Sequence, residues 1–265
     1  MMRTIVALAR SSHPEPVVAV TALSGSLALT AGRGLGTLWV VLAVLAGQLF
    51  VGWSNDYLDR SRDRAAGRTD KPLATDALTS RTVGVAALVA LVAAVPLSLA
   101  SGLPATIVHL VAIASAAAYN LGLKATFLSA IPYAVSFALL PAFITLGLAH
   151  PHWPPAWAVV AAGLIGVGGH FAQVRPDVAR DRVQHLWGLP QLAGDRASAI
   201  AAAVLLAAGA AVIAWGARSL LPLVAVLPLP AVVFVRASTA YRLTLLIAAL
   251  TVAAFLVSGG SLGST

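Results

Sequence analysis

Cysteine is absent from the 265 residues, so disulfides and thiolate metal sites are excluded and no redox compartment can be read from the chain. Charge is scarce: 10% of residues are Asp, Glu, Lys or Arg, against about 25% in a soluble domain. The shortage falls hardest on lysine and on acids. Nine Asp and Glu stand against 17 basic residues, and all but two of the basic residues are arginine. A chain that is 59% hydrophobic with so few charges cannot cover a water-exposed surface with polar groups. Its apolar runs also lack the period-two alternation of a membrane barrel strand. Residues 1–16 lack the apolar core of a signal peptide, so the first apolar run is expected to remain as a span.

What is present is a succession of apolar runs bounded by Gly, Pro or charge. They predict an all-α integral membrane protein with spans near 15–32, 36–54, 82–100, 103–121, 128–148, 154–174, 197–215, 219–235 and 241–258. Helices follow because a backbone in lipid must satisfy its own hydrogen bonds. With the N-terminus cytoplasmic, 15 of the 17 basic residues fall in inner segments and only Arg33 and Arg218 in outer ones. That split is the positive-inside pattern. It accounts for the net charge of +8 without nucleic acid as a partner, and it puts the C-terminus outside. A cell-membrane location is expected, with the lipid bilayer as surroundings.

The acids do not scatter. Asp56, Asp59, Asp63, Asp70 and Asp76 follow the second run, and Asp177, Asp181 and Asp195 follow the sixth; only Glu15 lies elsewhere. Asp59 and Asp177 are 118 residues apart, and so are Asp63 and Asp181. The offset suggests a single membrane domain of duplicated halves, about 15–121 and 128–235, followed by a last helix at about 241–258. Such halves would set the two acidic loops opposite each other across a central cavity.

The first cluster reads Asn55-Asp56-Tyr57-Leu58-Asp59-Arg60-Ser61-Arg62-Asp63. If the second span continues as a helix, Asp56, Asp59 and Asp63 share a face at i, i+3 and i+7. Like charges so placed repel, and a bound cation would explain their retention. Hard oxygen donors suit Mg²⁺, which keeps several waters and bridges to phosphate. The second cluster, Arg175-Pro176-Asp177-Val178-Ala179-Arg180-Asp181, repeats an i, i+4 acid pair after a helix-breaking proline. The alternative for either cluster alone is a solvated loop paired with its own arginines.

NDYLDRSRD resembles the NDxxDxxxD signature of the UbiA-type intramembrane prenyltransferases, PDVARD resembles their second DxxxD, and Tyr119-Asn120-Leu121-Gly122-Leu123-Lys124 resembles their Tyr and Lys motif between the two. The resemblance covers nearly the whole chain in the number, order and spacing of motifs. It implies nine transmembrane helices around a central cavity capped by two cytoplasmic Asp-rich loops, and transfer of a prenyl group from a prenyl diphosphate to a small-molecule acceptor with Mg²⁺. Members that prenylate hydroxybenzoate carry a further acid seven residues before the second DxxxD, where this chain has His170. The Tyr119-to-Lys124 spacing is also one residue longer. These departures bear on the acceptor more than on the diphosphate.

Carried onto this chain, the resemblance gives Asn55, Asp56, Asp59, Asp63, Asp177 and Asp181 as metal ligands, the five acids being the catalytic set. Arg68, Lys71, Lys124 and Arg180 would contact phosphate oxygens. Tyr119 would wall the allylic cation together with Trp53, Phe50 or Phe171, and His170 would replace a ligand or contact the diphosphate. Two other readings stand beside this one. A terpene cyclase of the same superfamily would ionise the same diphosphate and let the cation close on its own double bonds. A transporter or lipid-binding protein would want its polar groups nearer mid-membrane. Prenyl chain length, acceptor identity and oligomeric state are not legible.

Overall fold

The computed structural model describes residues 2–263, and among them there is no strand. The α-helices are α1 Met2–Ser11, α2 Pro14–Thr30, α3 Gly36–Ala65, α4 Ser80–Leu99, α5 Leu103–Leu121, α6 Ile131–Thr145, α7 Ala156–Val174, α8 Val178–Val183, α9 Leu189–Ala193, α10 Asp195–Gly216, α11 Leu221–Ala225, α12 Leu229–Phe234 and α13 Ala237–Val257. Single 3₁₀ turns at Leu123–Ala125 and Arg175–Asp177 precede the segments that carry the site. Helix starts follow local chemistry. Pro lies in the first two positions of α2, α5, α6, α9, α11 and α12, where its missing N–H has no partner to lose. Thr79 caps α4 by accepting a hydrogen bond from the Thr82 N–H at 3.1 Å.

Six helices are long and apolar enough to cross a membrane: Gly36–Ala65, Ser80–Leu99, Leu103–Leu121, Ala156–Val183, Asp195–Gly216 and Ala237–Val257. The apolar runs expected at 15–32 and 128–148 form shorter helices, α2 with 17 residues and α6 with 15. The run expected at 219–235 is not one helix. Pro222, Pro228 and Pro230 divide it into α11 and α12, because proline removes an intrahelical hydrogen bond and clashes with the preceding turn. The run ending at residue 54 continues as helix to Ala65, so α3 carries the first acidic motif beyond its apolar stretch.

Neighbours in space form a closed ring. Each of α2 to α7 packs on the next, α7 packs on α10, α10 on α11 and α12, these on α13, and α13 returns to α2. Leu88, Val89 and Val92 on α4 are about 60% exposed, as residues facing lipid should be. Inside the ring a cavity of about 60 Å³ lies between α2, α3, α5 and α6, lined by Val44, Gln48, His109, Ile113, Ser136 and Phe137 among others. His109 is satisfied there by a short contact of its Nδ1 with the Ser98 hydroxyl, 2.7 Å, and by stacking on Phe143 with ring centroids 4.4 Å apart. A polar side chain in such surroundings needs a partner.

The N-terminal segment departs from expectation. Short of the apolar core of a signal peptide, it nevertheless forms an amphipathic helix over residues 2–11. One side of α1 packs Ala7 and Leu8 against Trp53, Tyr57, Leu73, Leu78 and Val83, while Met2, Ile5 and Val6 on the other side are exposed.

Candidate functional site

Three carboxylates emerge along one face of α3. Asp56, Asp59 and Asp63 are 1%, 8% and 8% exposed, as the i, i+3, i+7 spacing on a continuing helix requires. Cations of the chain itself offset two of them, Asp56 and Asp59, which were expected to lack partners. Lys124 Nζ donates to both oxygens of Asp59, at 2.5 and 2.7 Å, and the Arg62 guanidinium pairs with the same carboxylate at 2.6 Å. Lys71 Nζ donates to Asp56 Oδ1 at 2.5 Å, and the Ser11 hydroxyl donates to Asp56 Oδ2 at 2.6 Å. Among the described residues, the Asp63 carboxylate has no hydrogen-bond partner and no ion pair within 4.0 Å.

Lys124 reaches Asp59 because of a turn that only glycine makes easily. α5 ends at Gly122, whose φ of 155° lies where a side chain would strain the backbone. The chain reverses there into the turn at Leu123–Ala125 and aims Lys124 back at α3. Burial pulls the Lys124 ammonium below the usual lysine range, outweighing the Asp59 carboxylate beside it. An ammonium so placed is poorly hydrated and needs a negative partner.

Asn55 is fixed by a residue that sequence reasoning quoted but did not use. Asn120 accepts from Asn55 Nδ2 at 3.1 Å and donates to Val51 O and Ser54 Oγ, both at 2.9 Å. The Asn55 Oδ1 takes no hydrogen bond among the described residues, which leaves an oriented oxygen donor one residue before Asp56.

The second motif lies on the turn Arg175–Asp177 and α8. Arg180 donates to Asp177 at 2.7 Å, and Asp181 accepts from the Gln191 amide at 2.7 Å. Gln191 sits on α9, which is pinned by the Leu189 N–H donating to Ser129 Oγ at 2.8 Å. Arg175 supports the turn from below, bonding Asp195 and the Val232 carbonyl at 2.8 and 2.7 Å.

The two motifs share one space through two arginines. Arg68, in the loop after α3, holds Asp70 at 2.6 Å and reaches Asp177 at 3.4 Å. Its guanidinium, raised further above the ordinary arginine range mainly by Asp70, also lies within electrostatic reach of Asp63. Arg62, bound to Asp59, lies within reach of Asp181. Arg68, Lys71, Lys124 and Arg180, expected on phosphate oxygens, thus each rest on a carboxylate.

Two expected roles find no support in the placement. His170 is 1% exposed and contacts no carboxylate among the described residues. It packs against Tyr119 and Tyr133, with centroids 5.5 and 4.6 Å away, and its Nε2 meets the Ser129 hydroxyl at 3.1 Å. It therefore steadies the Ser129 anchor of α9 rather than standing in for an acid. Of the aromatic residues considered for the cation wall, Trp53 turns to Leu8 O at 2.9 Å, Phe50 packs with Ala46, Ala94 and Ile113, and Phe171 with Ala172 and Ala202. Tyr119 stays near the acids, within reach of Asp59 and Asp181, and Tyr133 joins it edge-on at 5.2 Å. Tyr133, Arg62, Gln191, Asn120 and Ser11 were not foreseen. Each sits in an apolar run, a basic loop or a remote segment, and only the tertiary fold brings it to the site.

Among the described residues no three acids or histidines stand close enough to hold a metal ion unaided. The donors nevertheless suit Mg²⁺. They are all oxygen, Asn55 Oδ1 and Asp63 are free to bind, and Mg²⁺ ordinarily takes only one or two carboxylates plus phosphate oxygens and water.

An all-helical multi-pass membrane protein with two acidic motifs facing one space is the class these features define. A profile of the UbiA prenyltransferase family matches residues 18–259, and the chain belongs to that family. No curated protein matches it in sequence. Among solved structures, a UbiA homologue from Archaeoglobus fulgidus bound to GPP and Mg²⁺ is 17% identical with a TM-score of 0.70, over 95% of this chain and 99% of that one. The apo UbiA homologue from Aeropyrum pernix K1 is 18% identical with a TM-score of 0.74, over 92% and 98%. A digeranylgeranylglyceryl phosphate synthase is 15% identical with a TM-score of 0.67, over 98% and 99%. At these identities the likeness is one of fold.

Proposed function

We propose that this chain is a Mg²⁺-dependent intramembrane prenyltransferase that ionises a prenyl diphosphate and passes the prenyl group to a small acceptor. The observation that carries the reading is the ion pair that Arg68, in the loop after the first motif, makes with Asp177 of the second, together with Lys124 on Asp59. The solved relative holding GPP and Mg²⁺ supports the same substrate class here.

Asn55, Asp59, Asp63, Asp177 and Asp181 would hold the metal, with Asp56 beside them. Bound there, Mg²⁺ supplies Lewis-acid neutralisation of the diphosphate leaving group. The chain's own cations supply the rest. Lys124, Arg62, Arg68 and Arg180 rest on carboxylates in the described state. With those carboxylates holding metal, the same four cations would be free to pair with phosphate oxygens, which would keep their charge partnered. Tyr119 and Tyr133, in edge-on contact, would supply the π electrons that best meet a cationic carbon in a dry setting.

Nine passes are proposed, counting α2, α6 and the broken α11–α12 with the six long helices, and both acidic motifs are assigned to the cytoplasmic face of the cell membrane by the basic-residue split. Duplication is also proposed. α2, α3, α4 and α5 begin at residues 14, 36, 80 and 103, and α6, α7, α10 and α11 begin at 131, 156, 195 and 221, each between 115 and 120 residues later.

Incubating the purified protein with Mg²⁺ and prenyl diphosphates of several lengths tests the reading. Release of diphosphate that stops in excess chelator, with a prenylated product only when an acceptor is added, supports transfer. A cyclised hydrocarbon or alcohol without acceptor would make the chain a cyclase, and no diphosphate release with any substrate would refute the reading.

A further inference from the structure

Asp56 differs from the other acids of its motif in what surrounds it. Its side chain is 1% exposed, and both oxygens are occupied. The Ser11 hydroxyl donates to Oδ2 at 2.6 Å, and Lys71 Nζ donates to Oδ1 at 2.5 Å. His13 completes the group. Its Nε2 lies 2.9 Å from Lys71 Nζ and 3.4 Å from Asp56 Oδ1. An ammonium has only donors, so Nε2 must accept from Lys71. None of these partners comes from the second motif or from the turn carrying Lys124; Ser11 and His13 flank the junction of α1 and α2.

The same junction is tied to α3 by two further contacts. Trp53 Nε1 donates to Leu8 O at 2.9 Å. Gly52 lies so close under Ser12 that a Cβ there would run into the Ser12 carbonyl, so the contact requires glycine. Lys71 is 9% exposed. Drawing Asp56 onto a metal would take from that buried ammonium its one ion pair among the described residues, and unpairing a buried charge is strongly destabilising. Asp59 is placed differently: its cations are Lys124, as buried as Lys71, and the more exposed Arg62, and both are assigned above to the phosphate oxygens.

We propose that Asp56 is a positioning residue. With Lys71, Ser11 and His13 it forms a buried socket that docks the N-terminal helix onto α3 and fixes the rotation at which Asp59 and Asp63 are presented, and it does not itself hold metal. This rests on the metal–diphosphate reading above for what Asp59 and Asp63 do; the docking does not.

The chain has no cysteine, so Ser12→Cys, at a position 3% exposed, reports on docking through its rate of reaction with a charged thiol reagent. Mn²⁺ binding in the presence of inorganic diphosphate, followed by electron paramagnetic resonance on the full chain in nanodiscs, reports on the metal. Added to Ser12→Cys, Asp56→Asn is expected to speed labelling at least tenfold. It is expected to leave the number of bound Mn²⁺ unchanged while weakening their affinity about tenfold, the range seen when the partner that orients a ligand is lost. Asp59→Asn should lower the number bound and leave labelling slow. Ser11→Ala, a milder change, should move labelling and affinity in the same direction as Asp56→Asn, and it carries the test if Asp56→Asn does not fold. Loss of a bound Mn²⁺ in Asp56→Asn would make Asp56 a ligand and overturn the proposal. So would labelling that stays within twofold of the parent, or affinity that does not move while labelling does. If Asp59→Asn also keeps all its Mn²⁺, the metal–diphosphate reading fails while docking is judged by labelling alone.

Discussion

Replacing Asn120 with alanine separates the fold from the metal site. The Asn120 side chain makes three partly buried hydrogen bonds, to Val51 O, Ser54 Oγ and Asn55. Side-chain hydrogen bonds between membrane helices average about 0.6 kcal/mol each, with a maximum near 1.7. Asn120→Ala should therefore cost about 2 kcal/mol of stability, read as a lower midpoint for unfolding in mixed detergent micelles. It also frees the Asn55 amide, whose Oδ1 is the oriented donor ahead of the first acids. Loss of a group that orients a metal ligand typically costs about 10- to 100-fold in affinity. The apparent Mg²⁺ affinity in diphosphate release should fall by that factor in protein that is still folded. Loss of stability with Mg²⁺ affinity within twofold of the parent would refute the role given to Asn55 and leave Asn120 as packing only.

Two other outcomes follow from charge. Asp70 is held down to about 2 by Arg68, so the folded state binds this proton less readily than the unfolded one. Its contribution to stability is present above the ordinary value near 4 and is lost as pH falls toward 2. The Asp70 side chain is more than half exposed, so the effect on stability is small, and the carboxyl titration itself is the readout. Arg68→Gln should return the Asp70 midpoint to the usual carboxylate range, and an ordinary midpoint in the parent would contradict the pairing. For topology, single cysteines at Ser61 and Ala193 should be labelled only from the cytoplasmic side of sealed cells and one at Ala149 only from outside; the reverse would invert the proposed orientation.

The helices were legible because the bilayer requires long apolar runs, and the ends of α4, α5, α7 and α10 lie close to the residues where Gly, Pro or charge bounded them. The shared face of Asp56, Asp59 and Asp63 was legible because helical spacing fixes it. The division of residues 219–235 could have been read from its three prolines, which outweigh the run's hydropathy. α1 was missed because its average is close to neutral, and only helical spacing, which gathers Met2, Ile5, Val6 and Ala9 on one side opposite Thr4 and Ser11, marks it as amphipathic. The partners of the acids could not be read. Lys124 lies 65 residues from Asp59 and Ser11 lies 45 from Asp56, and no local pattern says which cation a fold brings to which carboxylate. For the same reason His170, chosen for its place before the second motif, proved to face Tyr119, Tyr133 and Ser129.

The central claim is that the two acidic motifs act as one site, and a double-mutant cycle on Asp59 and Asp177 tests it most directly. Diphosphate release with saturating Mg²⁺ would be measured for the parent, Asp59→Asn, Asp177→Asn and the double variant. Groups that act as a unit are strongly non-additive. Each single change should cost roughly a thousandfold or more in rate, about 4 kcal/mol of transition-state stabilisation, and the double variant should be scarcely slower than the worse single one. Losses that multiply, so that the two changes contribute independently, would contradict a shared metal–diphosphate site.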